Sequence, residues 1–222
     1  MKKLLFSIIA IICSLVFVNA QESTNQPKHI FGVRAGINFA KSPYNGWVGN
    51  ETINKGGTGF HVGGIYEIAL SKKRKWYFHT GLNLKYLTAK AETSSSYMYS
   101  DYGTYTYYNE KYRALYLEIP LMFTRQIRFT DDWGLRPAIG FSYGQGLFAK
   151  SDREKTRYER NELIYSETGE INLFKDDTSK WETSVGKVEL ALNLTYKNYL
   201  LGVEGSLGGD LWDLGITFGY NF

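Results

Sequence analysis

Eight charged side chains lie within segments of the sequence in which every second residue is apolar, and the charges fall on the other positions. They are four basic and four acidic residues: Arg34, Glu67, Lys85, Glu118, Arg136, Lys187, Glu189 and Glu204. A charge removed from water is costly unless an opposite charge accompanies it. The equal numbers therefore predict ion pairs that fill a narrow enclosed space, rather than an open channel.

Few other residues have the types that catalysis or metal binding requires. His61, His79 and Glu67 fall on one predicted strand face, and two histidines with a carboxylate can hold a metal ion. Ser142 and His79 match a serine-hydrolase site by residue type alone. No closely spaced ligand motif and no phosphate-binding glycine loop accompanies them. We therefore expect polar residues filling a hydrated interior, with no enzymatic activity, no metal and no cofactor.

Tyrosines cluster on both sides of a turn predicted at residues 101–103. Those singled out as candidate binding residues are Tyr97, Tyr99, Tyr105 and Tyr107. A hairpin there would pair the stretch near Tyr97 and Tyr99 with that near Tyr105 and Tyr107, and would extend two strands with tyrosines on one face. Tyrosine offers apolar area with a polar tip, which suits a protein or glycan ligand. Cross-strand stabilisation of the hairpin is the alternative interpretation.

Eight segments alternate strictly between two kinds of residue, the pattern of strands with two different faces. They cover 31–39, 60–70, 76–86, 115–124, 135–144, 187–196, 201–207 and 214–222. Seven of the eight have 9–11 residues, which is long enough to cross a bilayer at a tilt. One face is apolar and the other holds Gly, Asn, Ser and the charges. This predicts an all-β, eight-stranded antiparallel transmembrane barrel with its apolar face outward; a soluble barrel with the apolar face inward is the alternative.

The N-terminal residues have the pattern of a secretory signal peptide. Lys2 and Lys3 precede an apolar run from Leu4 to Val18, and cleavage is predicted after Ala20; a retained anchor helix is the alternative. Residues 21–222 then form one barrel domain. The removed segment holds the one cysteine and two of the 26 basic residues. The remaining chain has little net charge, which gives no reason to expect nucleic acid.

The connections between the predicted strands alternate in length. Segments 40–57, 90–112 and 150–182 are long and polar, whereas 71–75, 125–134 and 197–198 are shorter. Outer-membrane barrels have long extracellular loops and short periplasmic turns, so both termini are expected in the periplasm. The last strand has apolar residues at every second position, namely Leu214, Ile216, Phe218, Tyr220 and Phe222. Outer-membrane assembly machinery is expected to read a terminal strand of this pattern that ends in an aromatic residue.

One motif resembles a known family. Tyr116-Leu117-Glu118-Ile119-Pro120-Leu121 is similar to the YLEIPL motif of PorT-like outer-membrane β-barrel proteins, which are OmpX/OmpA-like barrels. The segments 32–38 and 136–140 resemble that family's first and fifth strands. The resemblance implies an outer-membrane barrel of about eight strands over residues 29–222. Pro120 cannot donate to a strand ladder, so we expect a bulge or register adjustment beside Glu118.

These observations together predict an exported protein of the bacterial outer membrane. Its expected partners are membrane lipid, the assembly machinery and a surface protein or glycan. The expected role is structural or adhesive, through surface-exposed loops. The alternatives are a component of protein secretion, which only the resemblance suggests, a narrow pore, and a lipid A-modifying enzyme.

Overall fold

The computed structural model describes residues 28–40, 51–54, 56–70, 75–97, 104–159, 162–175, 183–208 and 211–222. The predicted signal peptide of residues 1–20 and the candidate binding residue Tyr99 lie outside the described residues. Within the described ranges, no helix combines the length and apolar character needed to cross a membrane.

The regular elements of the described ranges are eleven β-strands. Their bounds are β1 His29–Ala40, β2 Glu51–Asn54, β3 Gly57–Ala69, β4 Trp76–Tyr97, β5 Thr104–Arg125, β6 Ile127–Arg128, β7 Trp133–Glu159, β8 Glu162–Asn172, β9 Ser184–Tyr196, β10 Tyr199–Gly208 and β11 Leu211–Asn221. Eight of these contain the eight segments in which the sequence alternates.

Those eight strands close into an antiparallel ring. The order around the ring is β4–β3–β1–β11–β10–β9–β7–β5, and β5 pairs with β4 to complete it. Closure satisfies the backbone groups of both edges, which an apolar solvent demands. The predicted eight-stranded barrel is confirmed. The remaining strands lie outside the ring: β2 pairs with β4, whereas β6 and β8 pair with β7.

The two faces of the barrel wall are inverted relative to a soluble protein. In β1, Phe31, Val33 and Ile37 are each about half exposed, whereas the alternating Arg34 and Asn38 are buried. The same parity holds in β11, where Phe218 is exposed and Thr217 is fully buried. Large side chains therefore face outward and polar ones inward, as the transmembrane interpretation predicts. The alternative with an inward apolar face is wrong.

The apolar band on the outer face has the height of a membrane. On β5 the outward residues from Leu115 to Phe123 are all apolar, and Arg113 and Arg125 flank them. Arg113 and Arg125 are 12 residues apart, which at about 3.3 Å per residue and a tilt of about 40° gives a height of about 30 Å. This matches the hydrocarbon thickness of a bilayer. At one edge, the Arg125 guanidinium lies 5.5 Å from the Trp76 ring centroid.

Three wall strands continue well beyond this band. β4 and β5 stay paired from Trp76–Arg125 to Tyr97–Thr104, and β5 pairs with β7 out to Thr104–Glu159. The expected hairpin extension is therefore present. The expectation of a polar loop over 150–182 is wrong for 150–172, because β7 runs to Glu159 and β8 pairs back onto it. Alternating polar residues carry no apolar signal, so these strands could not be recognised from sequence.

The register around Pro120 differs from the expectation. Pairing between β4 and β5 runs to Thr80–Leu121 and resumes at Asn83–Glu118 in an unchanged register. The missing N–H of proline thus interrupts the ladder without shifting it. The bulge in this region lies between Leu115 and Tyr116, in the pairing of β5 with β7.

Candidate functional site

A cluster of opposite charges surrounds Glu67 inside the barrel, toward the end with the short turns. Arg136 Nη2 donates a short hydrogen bond to Glu67 Oε2, and His79 Nδ1 lies 2.9 Å from Glu67 Oε1. Arg34 Nη2 lies 3.7 Å from the same oxygen. Glu67 is fully buried, so its carboxylate depends on these three groups instead of water. The Arg136 guanidinium also lies over the Tyr77 ring, 5.3 Å from its centroid.

A second cluster alternates two lysines with two carboxylates farther along the lumen. Lys85 Nζ donates to Asp213 Oδ1 at 2.8 Å, and Lys187 Nζ donates to Glu118 Oε1 at 2.7 Å. The cross contacts are longer, at 3.6 Å for Lys85–Glu118 and 3.7 Å for Lys187–Asp213. Ser206 Oγ also donates to Asp213 at 2.7 Å. Four strands thus contribute to one neutral, buried quartet.

Asp213 is the member of this cluster that sequence reasoning missed. The last alternating segment recognised in the sequence begins at residue 214, whereas β11 begins at Leu211. Asp213 shares the parity of Gly215 and Thr217, which both fall on the inward face, and that parity was a usable signal. When Asp213 is added to the eight predicted lumen charges, five acidic residues face four basic ones. Glu189 and Glu204 are also less enclosed than the rest, and Glu204 contacts Arg34 at 3.3 Å with 32% of its side chain exposed.

The two histidines do not come together. In the pairing of β3 with β4, His61 is opposite Lys85 and His79 is opposite Glu67, a separation of six residues or about 20 Å along the strands. The metal site that would use both histidines is therefore wrong. His61 instead lies 3.0 Å from Asn38 Oδ1 and 3.2 Å from Thr217 Oγ1. In the described ranges, no group of three metal-ligating side chains is found.

Ser142 and His79 are also on separate parts of the wall. His79 is level with Met122 and Gly140, so Ser142 lies two residues farther along a strand that is not adjacent to β4. The His79 ring nitrogen Nδ1 is engaged by Glu67.

Apolar side chains close the lumen beyond the lysine–carboxylate quartet. Tyr112, Tyr116, Ala149 and Val185 are buried together there, and Leu173 joins them from the segment after β8. Phe174 packs edge-on against Tyr116, with ring centroids 6.2 Å apart. The interior between the two mouths is thus filled by paired charges and, at one end, by aromatic rings.

Beyond the apolar band, five strands form a sheet that projects from the barrel. We call it the surface sheet; it comprises 51–54, 87–97, 104–113, 150–159 and 162–172. Two of the candidate tyrosines, Tyr105 and Tyr107, are exposed by 42% and 49% on its outer face. Tyr158 is opposite Tyr105, and its ring meets Tyr107 edge-on at 5.8 Å. With Thr156 they line an open groove of about 470 Å³.

The remaining candidate tyrosine on this sheet is Tyr97. Its backbone ends β4 opposite Thr104. On the other face of the sheet, Tyr108 lies beneath two cations: Arg153 at 5.9 Å and Lys155 at 6.0 Å from the ring centroid.

The family model for an outer membrane protein beta-barrel domain matches residues 19–221. The chain belongs to this family. The protein is therefore located in the bacterial outer membrane, where the apolar outer face of its barrel contacts lipid. The search of curated proteins gives no match.

Solved structures resemble this outer membrane β-barrel only distantly. Ail, the attachment invasion locus protein of Yersinia pestis, is 12% identical with a TM-score of 0.35 and covers 88% of this chain and 100% of its own. A second structure of Ail, in complex with the heparin analogue sucrose octasulfate, has a TM-score of 0.33 with the same identity and coverage. The outer membrane protein OprG of Pseudomonas aeruginosa is 9% identical, with a TM-score of 0.34, and covers 90% and 98%.

Membership in this family also allows the orientation of the candidate sites to be predicted. Outer-membrane barrels place short turns in the periplasm and long loops outside. By this rule the surface sheet is predicted to lie on the cell exterior and the Glu67 cluster near the periplasmic mouth. The two-residue turn Lys197–Asn198 is at that mouth, where Lys197 adopts a left-handed φ of 52°, as tight hairpins require.

Proposed function

We propose that this protein is a non-enzymatic binding protein that displays the surface sheet to ligands outside the cell. The observation that carries the proposal is the exposed tyrosine groove of Tyr105, Tyr107 and Tyr158, which lies on strands held rigidly by the barrel wall. Tyrosine rings supply contact area at low entropic cost, and their hydroxyls donate to polar ligands. The expected ligand is a protein or a glycan.

The filled lumen supports a binding role over a pore. Eight strands leave an interior that side chains can occupy completely. The Glu67 cluster, the lysine–carboxylate quartet and the Tyr116 rings lie one after another along the axis of this barrel. Each is expected to block the passage of a hydrated solute. A pore would need all three to move.

The proposal is tested by adhesion of cells that display the protein. We would compare wild type, Tyr105→Ala/Tyr107→Ala and the matched control Thr104→Ala/Thr106→Ala, which alters the opposite face of the same strand. The probes are an immobilised glycan array, soluble sucrose octasulfate and a panel of immobilised host-surface proteins. Removal of two aromatic contacts at the centre of an interface is expected to weaken binding by about tenfold or more.

Two results would overturn this proposal. One is unchanged binding in the tyrosine variant at equal surface display. The other is equal loss in both variants, because the threonine pair does not line the groove. Protease sensitivity of the surface sheet separates binding from the alternative, in which the tyrosines only stabilise the hairpin.

The narrower assignments remain proposals. The PorT-like resemblance suggests a secretion component, and normal export in a deletion strain would remove that role. Recognition of β11 by assembly machinery also stays a prediction. A lipid A-modifying activity would require Ser142 and His79 to act from separate parts of the wall, and an unchanged lipid A profile in Ser142→Ala would exclude that site.

A further inference from the structure

Four cations lie together on the outer face, immediately beyond the apolar band at its extracellular edge. In register across β4, β5 and β7, the row that follows the band contains Thr88, Arg113 and Lys150, and the next row contains Lys90, Lys111 and Asp152. All four cations point away from the lumen, because the residues between them on each strand, such as Ala89, Tyr112 and Ser151, are buried. We call Lys90, Lys111, Arg113 and Lys150 the basic cluster.

The two halves of the basic cluster differ in how they are neutralised. Arg113 Nη2 lies 2.8 Å from Asp152 Oδ1, and Lys150 Nζ lies 2.7 Å from Glu170 Oε1. Lys90 and Lys111 form no ion pair with any residue in the described ranges. They are nevertheless directly opposite each other across β4 and β5.

A pair of like charges at opposed positions destabilises a sheet, because the two Cβ atoms are only about 5 Å apart. An anion between the two ammonium groups would attract both of them and offset their mutual repulsion. Asp152 is directly opposite Lys111 across β5 and β7, but its carboxylate is engaged by Arg113. Glu92, the outer-face acid nearest to Lys90 on its own strand, lies one row farther from the membrane. On the membrane side of the two lysines come Thr88, Arg113 and then the apolar band. The position open to an anion is therefore the membrane side.

We propose that Lys90 and Lys111, with Arg113 beside them, bind the phosphate group of a glycolipid in the outer leaflet. The height of the cluster decides between ligands. Arg113 marks the extracellular edge of a lipid-facing band about 30 Å high, so a headgroup phosphate reaches the cluster while its acyl chains pack on Leu115 and Leu117. Lysine binds phosphate as a mobile point charge, and the arginine fork adds directed donors. The site is separate from the tyrosine groove, so it goes beyond the proposed function.

The test uses the full chain, purified in detergent and reconstituted in phosphatidylcholine nanodiscs. The probes are phosphorylated lipid A and the same lipid A after enzymatic removal of its phosphates. Bound lipid is counted by native mass spectrometry over a lipid titration. Inorganic phosphate at 100-fold excess over the lipid tests whether the free anion competes.

The variants remove the two unpaired charges. Lys90→Gln/Lys111→Gln is expected to bind phosphorylated lipid A about 30-fold more weakly, because each lysine near an anionic lipid surface contributes about a factor of five. Lys90→Arg/Lys111→Arg keeps the charge and should bind within threefold of wild type. The matched control Lys28→Gln/Lys197→Gln removes two exposed lysines at the periplasmic mouth and should leave lipid binding unchanged. Heat modifiability on a gel establishes that each variant is folded.

Four outcomes would overturn the proposal. They are a loss below threefold in Lys90→Gln/Lys111→Gln, an equal loss in the control, equal binding of dephosphorylated lipid A, and full displacement by inorganic phosphate. The last would show a site for the free anion instead of a lipid. If the glutamine variant fails to fold, dephosphorylated lipid A and the arginine variant still decide the result.

Discussion

Replacement of Glu67 by glutamine should be the most destabilising single conservative change in the lumen. The substitution keeps the shape of the side chain and removes its charge. Arg136 would then lose the carboxylate that it contacts, and Arg34 would keep only the partly exposed Glu204. The loss of one partner of a buried ion pair costs about 3–5 kcal/mol. The structure places Glu67 at the upper end of that range, because it is fully buried and contacts three groups.

The matched control is Glu204→Gln. Glu204 also pairs with Arg34, at 3.3 Å, but 32% of its side chain is exposed. Water screens such a pair, and its loss should cost below about 1 kcal/mol. The two variants thus remove the same charge from two positions that differ in burial.

The assay is urea unfolding in vesicles, followed by tryptophan fluorescence and by heat modifiability on a gel. Wild type, the two single variants and Glu67→Gln/Arg136→Gln are compared. The double variant should lose less than the sum of its single variants, by about 1 kcal/mol or more, because the two residues form one network. A cost below about 1 kcal/mol for Glu67→Gln, or a cost equal to that of Glu204→Gln, would refute the reasoning.

Three further predictions concern the wall, the packing and the lumen. Phe141→Arg on the lipid face should cost about 2–4 kcal/mol in urea unfolding, whereas Tyr107→Arg above the band should cost little; equal costs would contradict the assigned membrane position. Gly36→Ala should cost about 1–3 kcal/mol, because its Cβ would lie 2.3 Å from the Ile216 carbonyl oxygen and 2.4 Å from His61 Cε1. Gly186→Ala, whose Cβ would meet nothing within 4 Å, should cost less than about 0.5 kcal/mol. The reconstituted protein should show no conductance in planar bilayers; stable single-channel steps would contradict a filled lumen.

The faces of the wall could be predicted from sequence because alternation is a local property. Phe31, Val33 and Arg34 reveal their sides of β1 without any knowledge of the neighbouring strands. The pairing inside the lumen could not be predicted, since it depends on register and on which strands are adjacent. The charged residues could be identified from sequence, but not the contact of Glu67 with Arg136, whose strands β3 and β7 are separated by β4 and β5 in the ring. It also suggested an approach of His61 to His79 that the register excludes.

The surface sheet shows a different limit. Strand recognition relied on apolar alternation, and the outer parts of β7 and β8 replace it with alternating charges such as Arg153, Glu154 and Lys155. Tyrosine spacing made the hairpin of β4 and β5 predictable, whereas the partner strand had no such marker. Asp213 was missed for a related reason. The Gly-Gly-Asp sequence at 208–210 resembles a turn, whereas β11 begins at Leu211 and Asp213 is buried on the inward face with Thr217.

The continuity of β4, β5 and β7 has a mechanical consequence. Each of these strands passes without interruption from the lipid band into the surface sheet, and Tyr112, Tyr116 and Ala149 pack below the point where the sheet leaves the ring. The lumen clusters brace these strands from within, so the groove at Tyr105 and Tyr107 is held on a rigid base. Substitutions in the lumen should therefore alter unfolding without altering ligand affinity, as long as the barrel stays folded. Substitutions in the groove should do the reverse, because its exposed rings contribute little to the packing of the wall.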